Sequence, residues 1–242
     1  ADPIGLNARD LATFAVDRRS QLELLTRAPR ERVVVAESGI ASRAQGAAAE
    51  LAGANAILVG TSLMRAPDPG AKLRELISRP LVKVCGVTRE EDVAVAAEAG
   101  ADMVGFILAA ESPRRARAVL PVPETMLAVA VHVGHVEGSG ADLVQLYERE
   151  GDHRARDAVL LQREREVARV VDLPWGDADP LHLERAAAVE GRVMLAGGLA
   201  ADNVRPAIEA VRPWAVDASS RLEQAPGIKD GARVRAFVEA AR

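Results

Sequence analysis

The single cysteine of this sequence, Cys85, is the residue whose placement most suggests chemistry. It ends the apolar run Val-Lys-Val-Cys and precedes Gly86, a pattern that predicts a strand stopping where a βα turn begins. Side chains at the carboxyl ends of parallel strands face the ligand-binding side of an α/β protein. A thiol at that place could act as a base or a nucleophile. It could also be a small buried hydrophobic residue, which is the commonest role of a free cysteine.

Two neighbouring features could favour the reactive form of this thiol. An unperturbed cysteine has a pKa of about 8.5, so a nearby cation or helix N-terminus is needed for it to act as a base near neutral pH. Lys83 alternates to the same face of the predicted strand. Thr88 and Glu91 have the capping-box spacing, which predicts a helix whose dipole would point its positive end toward the strand end.

Two pairs of glycine-containing loops are repeated along the chain. Ala196-Gly197-Gly198-Leu199 precedes Asp217-Ala218-Ser219-Ser220, and Gly198 and Ser220 are 22 residues apart. Earlier, Gly39 and Ser62 are 23 residues apart in a similar setting. Each pair is typical of the loops after the last two strands of a (β/α)8 barrel, where backbone N–H groups hold a substrate phosphate. The alternative is unrelated glycine turns, since glycine ends many strands.

Short Val/Ile/Leu-rich runs alternate with longer Ala/Glu/Arg-rich amphipathic stretches, which predicts an α/β protein with a parallel sheet and right-handed crossovers. The predicted strands are Ile4–Leu6, Val33–Ala36, Ala56–Val59, Val82–Cys85, Met103–Leu108, Leu127–Val133, Asp157–Leu161, Val167–Val171, Arg192–Leu195 and Ala215–Asp217. The predicted helices are Ser42–Leu51, Pro69–Ile77, Glu90–Ala99, Leu181–Val189, Ala201–Val211 and Gly231–Ala241, with Asp202 or Asn203 available as a cap. We predict the last three βα units of one TIM barrel in residues 1–80, and a second TIM barrel in residues 81–242.

Composition excludes several classes of protein. The 242 residues are 49% hydrophobic and 27% charged, as expected for a globular protein with a substantial core. A net charge of −4 gives no basic field for nucleic acid. One cysteine cannot form an internal disulfide and fits a reducing compartment. Without a recognisable signal peptide or membrane-spanning run, we expect a cytoplasmic enzyme that binds no membrane.

Several motifs together resemble two enzymes of tryptophan biosynthesis. The segments Ile4–Asp10, Val35–Ile40 and Ile57–Arg65 resemble the last three strand–loop units of indole-3-glycerol-phosphate synthase. From Lys83 onward the chain resembles phosphoribosylanthranilate isomerase, on the following stretches: Lys83–Thr88, Gly105-Phe106 with Ser112-Pro113-Arg114, Ala196–Leu199 with Asn203-Val204, and Val216–Ser220 with Pro226–Asp230. Bifunctional fusions with the synthase first are known in this family, and the order here agrees.

The resemblance implies an Amadori rearrangement of N-(5-phosphoribosyl)anthranilate, a small phosphoribosyl substrate, without a metal or an organic cofactor. It implies that Cys85 is the catalytic base and that Arg114 binds an anion near the anthranilate. Gly197, Gly198, Ser219 and Ser220 occupy the positions of the phosphate loops. Asp172, at the end of a predicted strand, best matches the catalytic acid. Asp177 and Asp179 are alternatives, and all three could instead be solvated loop carboxylates or helix caps.

The middle of the second barrel departs from the family pattern. Only 160 residues run from Lys83 to Arg242, whereas a full barrel typically needs at least ~200. The shortfall lies between Val133 and Arg192, so we predict a barrel shortened in its middle. Val144–Glu148 resembles the family's Gln-Leu-His strand with Tyr147 in place of histidine, and Asp157–Leu161 competes for the same place.

Other residues suggest weaker alternatives. Arg221 replaces the family's usual glycine, where it could add a phosphate-binding cation or block close approach of the backbone. His132 and His135 are three apart on a strand end with no third ligand, so we expect no metal site. Glu37 and Asn7 match synthase positions, but the earlier lysines and glutamate are absent, so we expect no synthase activity from this chain alone.

Two further functions stay open at this point. A degenerate barrel could bind phosphate ligands without catalysis, as the shortened middle and the lost histidine would allow. A related aldose–ketose isomerase of the histidine pathway would have the same fold, but that family uses paired aspartates in place of the Lys-x-Cys-Gly base. The sequence gives no indication of oligomeric state.

Overall fold

A computed structural model describes residues 2–136, 138–148, 157–173 and 178–242. The chain forms two compact units, Ala1–Ser78 and Arg79–Arg242. Within the described residues, no helix is long and apolar enough to cross a membrane.

The first unit is a three-stranded parallel sheet with four helices. Its elements are β1 (Ile4–Asn7), α1 (Arg18–Arg27), β2 (Val34–Glu37), α2 (Arg43–Ala52), β3 (Ala56–Leu58), α3 (Thr61–Met64) and α4 (Pro69–Ile77), and the strands lie in the order β1-β2-β3. Helix α1 was not predicted, although Asp17 caps it by accepting a hydrogen bond from the Ser20 amide. Asn7 and Glu37 are register partners at the ends of β1 and β2.

The second unit is a closed eight-stranded barrel. Its elements are β4 (Leu81–Cys85), α5 (Glu90–Glu98), β5 (Met103–Ile107), β6 (Leu127–Val133), β7 (Leu143–Tyr147), β8 (Asp157–Gln162), β9 (Arg165–Val171), α6 (His182–Ala187), β10 (Val193–Leu195), α7 (Val204–Val211), β11 (Ala215–Ala218), a 3-10 turn (Ser220–Leu222), the β12–β13 hairpin (Glu223–Ala225 and Ile228–Lys229) and α8 (Gly231–Ala241). The barrel order is β10-β11-β4-β5-β6-β7-β8-β9.

One strand of the barrel runs against the predicted direction. β8 pairs antiparallel with both β7 and β9, so the prediction of a uniformly parallel sheet is wrong here. The reason is chain length, because only Arg163 and Glu164 separate β8 from β9, whereas a parallel crossover needs a dozen or more residues. Val144–Glu148 and Asp157–Leu161, the two segments considered for the same strand of the family pattern, belong to the neighbouring strands β7 and β8.

The strands β4 and β5 have an outer face that packs in the hydrophobic core and an inner face that points into the barrel. Alternate residues of β4 and β5, including Val82, Val84, Val104 and Phe106, pack outward with Phe237 of α8. Because side chains alternate along a strand, Lys83 and Cys85 lie on the opposite, inner face of β4. Burial of the outer face therefore fixes the direction of the two reactive side chains.

The capping box predicted at Thr88 is wrong. Helix α5 begins at Glu90 with Arg89 as its N-cap, and no side chain caps it. The Thr88 hydroxyl instead donates a 2.6 Å hydrogen bond to the carbonyl oxygen of Gly227, which ties the turn after β4 to the β12–β13 hairpin.

Candidate active site

A buried ion pair lies beneath Cys85 inside the barrel. Lys83 Nζ donates to Asp217 Oδ2 at 2.7 Å and to Gln145 Oε1 at 2.9 Å. Burial opposes the charge on Lys83, but the interactions with Asp217 and Cys85 together outweigh it and hold the pKa of Lys83 above its usual range. The ammonium group is therefore a fixed cation beside the thiol.

The Cys85 thiol occupies space that only a glycine on the next strand leaves open. Gly105 of β5 is its register partner, and a Cβ added there would lie 2.6 Å from Cys85 Sγ and 3.1 Å from Lys83 Nζ. Burial raises the pKa of Cys85, while the positive charges of Lys83 and Lys229 act in the opposite direction. Lys83 thus contributes as expected, but burial outweighs it.

A hydrogen-bond chain joins this ion pair to Asp172. Gln145 Nε2 donates to the Tyr147 hydroxyl at 2.8 Å, and that hydroxyl donates to Asp172 Oδ2 at 2.6 Å. Asp172 Oδ1 accepts the backbone N–H of Leu173 at 2.7 Å. The structure therefore brings the two expected catalytic residues into one connected cluster at the carboxyl ends of β4, β7 and β9.

Asp172 has the electrostatic character of a proton donor. Burial raises its pKa to about 6, against the hydrogen bonds from Tyr147 and Leu173, which favour the carboxylate. The negative charge of Asp217 raises this pKa further and Lys83 lowers it. A carboxyl group in such a setting retains its proton to a higher pH than an exposed aspartate does.

Asp179, one of the two alternative acids, makes its contacts near the start of α6. Asp179 accepts the N–H of Leu181 at 2.9 Å and forms an ion pair with Arg185 at 3.0 Å, so it serves the start of α6. Asp179 does not cap the helix in the usual sense, because Leu181 is the N-cap residue of α6 and no side chain caps it. Asp177 lies outside the described residues.

A second buried charge cluster surrounds Arg114. Arg114 Nε donates to both carboxylate oxygens of Glu223, at 3.0 and 2.8 Å. Lys229 Nζ donates to Glu223 Oε1 at 2.7 Å and to the Ser219 carbonyl oxygen at 3.3 Å. Burial lowers the pKa of Lys229, and the bond to Glu223 opposes that change. Through Glu223 and Lys229, the cluster connects Arg114 to the loop that contains Ser219.

The two predicted phosphate loops follow β10 and β11. Gly197 and Gly198 both have positive φ, and a Cβ on Gly197 would lie 2.8 Å from the amide nitrogen of Leu173. Asn203 braces this loop, because its side chain accepts the Ala200 N–H at 2.8 Å and donates to the Gly198 carbonyl oxygen at 3.0 Å.

The second loop carries Ser219 and the short turn that starts at Ser220. Ser219 Oγ is buried and makes no hydrogen bond within the described structure. A Cβ on Gly86 would lie 2.8 Å from this oxygen and 3.0 Å from Arg114 Cδ, so the loop, the arginine and the turn after Cys85 meet at one point.

Arg221 forms an ion pair with a residue of the neighbouring loop. Its guanidinium pairs with Asp202 at 2.7 Å, so it links the loop after β11 to the loop after β10. Among the residues that the structure describes, no three His, Cys, Asp or Glu side chains form a potential metal site. His132 is buried on β6, whereas His135 is exposed beyond it.

Known proteins with similar sequences match about two thirds of this chain. The N-(5'-phosphoribosyl)anthranilate isomerase of Chromohalobacter salexigens is 37% identical over 198 residues, which cover 94% of that protein and 67% of this chain. The isomerase of Rubrobacter xylanophilus is 38% identical over 202 residues, covering 98% of that protein and 66% of this chain. The chain belongs to the N-(5'-phosphoribosyl)anthranilate isomerase family.

Family models and solved structures agree with this membership. The model of N-(5'-phosphoribosyl)anthranilate isomerase matches residues 178–240, and that of indole-3-glycerol phosphate synthase matches residues 1–76. Phosphoribosyl anthranilate isomerase from Thermus thermophilus superimposes with a TM-score of 0.54 at 26% identity, over 66% of this chain and 97% of that one. An isomerase solved in complex with reduced 1-(o-carboxyphenylamino)-1-deoxyribulose 5-phosphate gives 0.52 at 26% identity, over 67% and 98%. The expected synthase-then-isomerase order is confirmed.

This member of the isomerase family is shorter than its relatives. The 198 positions aligned with the Chromohalobacter protein cover 67% of 242 residues, about 162, so about 36 positions have no counterpart here. The β8–β9 hairpin and the short connection from Val133 to Leu143 lie in the region where the sequence predicted the loss. The expectation of a TIM barrel shortened in its middle is confirmed.

Sequence reasoning missed four members of the two clusters. Gln145 and Lys229 fell within segments compared with the family but had no role, and Tyr147 was counted as a lost histidine. Glu223 carried no signal, because a single glutamate after a loop is common in any sequence. The hydrogen bonds of Gln145 to Lys83, Tyr147 to Asp172 and Glu223 to Arg114 span 62, 25 and 109 positions, so only the closed barrel brings these residues together. Lys229 meets Glu223 locally, across the β12–β13 hairpin.

Proposed function

We propose that Arg79–Arg242 catalyses the Amadori rearrangement of N-(5'-phosphoribosyl)anthranilate to 1-(2-carboxyphenylamino)-1-deoxyribulose 5-phosphate, a step of tryptophan biosynthesis. The observation that carries the proposal is the connected cluster of Cys85, Lys83, Gln145, Tyr147 and Asp172 at one end of the barrel. It provides a proton acceptor and a proton donor in a protein of this family. The isomerases of Chromohalobacter salexigens and Rubrobacter xylanophilus align with this chain over 94% and 98% of their own length.

The chemistry requires one proton donor and one proton acceptor. Asp172, in its protonated form, gives a proton to the ribose ring oxygen while the amine nitrogen lone pair forms a C=N bond and the ring C–O bond breaks. Cys85 then removes the proton from the adjacent carbon as the thiolate, the form that the Lys83 ammonium favours against burial, and this gives an enolamine that tautomerises to the ketone. The substrate amine serves as the electron sink, so the reaction needs no cofactor. The raised pKa of Asp172 supports its role as the acid.

The two ends of the substrate are both anionic. We assign the phosphate to the loops of Gly197, Gly198, Ser219 and Ser220, where glycines allow the backbone to approach an anion closely. Arg114 is assigned to the anthranilate carboxylate. Glu223 accepts from Arg114 Nε, so we assign the contact with the substrate carboxylate to the two terminal nitrogens of the guanidinium.

The test is turnover by the purified chain and by matched variants. Cys85→Ala and Asp172→Asn should each lower kcat by about 10²–10⁴-fold, as expected for loss of a general acid or base. Asp179→Asn, which alters the start of α6, is the control and should keep at least half of the activity. Circular dichroism and thermal unfolding check that each variant folds.

Two outcomes would contradict the proposal. Wild-type turnover in both site variants would remove the catalytic roles of Cys85 and Asp172. Binding of the reduced product analogue by a wild-type chain that shows no turnover would support the alternative, a barrel that binds phosphate ligands without catalysis.

A further inference from the structure

The hydrogen-bond chain that ends on Asp172 has a fixed direction. A lysine ammonium can only donate, so the Gln145 oxygen must face Lys83 and the Gln145 amide nitrogen must face Tyr147. The tyrosine hydroxyl then accepts from the amide, and its own proton is left for Asp172 Oδ2 at 2.6 Å. The Tyr147 hydroxyl is therefore always the donor, and the Asp172 carboxyl the acceptor, in this hydrogen bond.

We propose that Tyr147 is a positioning residue of the isomerisation, whose hydroxyl holds the carboxyl of Asp172 in one orientation and limits how tightly that carboxyl keeps its proton. The inference deepens the proposed function and rests on it, since Asp172 is taken as the acid. Tyr147 lies at the end of β7 and Asp172 directly follows β9, two strands away across β8. Their hydrogen bond spans the antiparallel strand of this barrel.

The two donors to Asp172 differ in what they can control. The Leu173 N–H is part of the backbone next to Asp172, so it moves with the carboxyl that it binds. The tyrosine hydroxyl belongs to another strand and fixes the carboxyl relative to the rest of the site. Donors to a carboxylate oxygen favour the ionised form, so loss of the hydroxyl should raise the pKa of Asp172.

Other charged groups face this pair and stay in place when the hydroxyl is removed. Asp217 of β11 raises the pKa of Asp172, and Lys83 of β4 lowers it. Burial raises the pKa of Tyr147 well above its usual value, and Asp172, Asp217 and Cys85 add to this, so the hydroxyl keeps its proton. A change in the titration of Asp172 in Tyr147→Phe can then be assigned to the lost hydrogen bond.

The experiment compares wild type, Tyr147→Phe and Tyr147→His by two readouts. The first is the titration of the Asp172 carboxyl followed by carbon-13 NMR, with the signal assigned by its loss in Asp172→Asn. We expect Tyr147→Phe to raise the midpoint by about 0.5–1 pH unit. The second is the pH profile of kcat, whose alkaline limb should move up by the same amount, while kcat falls about tenfold and KM changes less than twofold. Tyr147→His supplies another donor and should restore part of both changes.

The outcomes separate this inference from the proposed function. An Asp172 midpoint that is unchanged in Tyr147→Phe would overturn the inference, whatever the turnover. A loss of kcat with an unshifted alkaline limb would do the same, because it indicates general structural damage. If the wild type itself shows no isomerase turnover, the proposed function fails, and the NMR titration still decides whether Tyr147 controls the carboxyl.

Discussion

Lys83 Nζ and Asp217 Oδ2 lie 2.7 Å apart in the barrel interior, where the lysine side chain is fully buried and that of the aspartate is 7% exposed. They come from β4 and β11, neighbouring strands of the barrel that are distant in sequence. Such a pair adds little net stability, because desolvation offsets most of the attraction, but removing one partner leaves an uncompensated buried charge. Closure of the barrel between β4 and β11 therefore places the Lys83 ammonium beside Cys85 together with its counterion.

Lys83→Met should therefore destabilise the second unit by about 3–5 kcal/mol, measured by urea unfolding at pH 7. The double variant Lys83→Met/Asp217→Asn removes the orphaned charge and should recover at least half of this loss. Equal instability of the single and double variants would show that packing, and not the charge pair, accounts for the effect.

Gly105 provides a steric test of the thiol site. Gly105→Ala would place a Cβ 2.6 Å from Cys85 Sγ, closer than any van der Waals contact allows, so the thiol or the strand must move. We expect kcat to fall about 100-fold or more, since small displacements of a reacting group are costly. Gly138→Ala is the matched control, because no atom lies within 4 Å of its added Cβ. Activity that falls equally in both variants would contradict the steric argument.

Glu223 should control how Arg114 meets its ligand. In Glu223→Gln the bifurcated hydrogen bond from Arg114 Nε is weakened, and two cations, Arg114 and Lys229, are left beside a neutral amide. KM should rise about tenfold while kcat changes less than threefold, since one misplaced charge-assisted contact costs 1–2 kcal/mol. Glu166→Gln, which alters an exposed pair with Arg169 on β9, is the control. Unchanged KM in Glu223→Gln would argue against Arg114 as a binding residue.

The sequence predicted the elements whose signal is local. Short apolar runs located ten strands of the structure, nine of them with the expected direction, and Asp157–Leu161 was located but given the wrong direction. The direction of that strand depends on the two-residue turn that follows it. At Thr88 the local pattern was misleading. It predicted a helix cap, but the hydroxyl donates to a distant acceptor, the carbonyl oxygen of Gly227.

The candidate site was partly readable for the same reason. Cys85, Gly197 and Gly198 lie in motifs of adjacent residues, so their placement at strand ends followed from the sequence. The protonation of Asp172 depends on Tyr147 and Asp217, which are respectively 25 and 45 positions away. No pattern of adjacent residues encodes that environment, because the closed sheet creates it.

The raised pKa of Asp172 makes stability depend on pH. Its folded value is about 6, against an ordinary value of 3.8, so the favourable contribution is full below pH 3.8 and is lost as the pH rises through 6. Asp172→Asn should therefore stabilise the unit at pH 7 by at most about 3 kcal/mol, and by less to the extent that the side chain contacts water. Urea unfolding at pH 7 and pH 4 checks this. The difference between variant and wild type should shrink at pH 4, and a difference independent of pH would contradict it.

The β8–β9 turn gives a test of the shortened barrel that does not involve the site. Arg163 and Glu164 have φ values of +50° and +65°, the left-handed region that costs a non-glycine residue about 1 kcal/mol. A two-residue hairpin loop with positive φ at both positions favours Asn-Gly. Arg163→Asn/Glu164→Gly should therefore raise the free energy of unfolding by about 1 kcal/mol, measured by urea unfolding. Glu166→Gly on the adjoining strand β9 is the control and should lower it, since glycine weakens a strand interior. Destabilisation by the turn substitution would show that β8 and β9 are not joined by this tight hairpin.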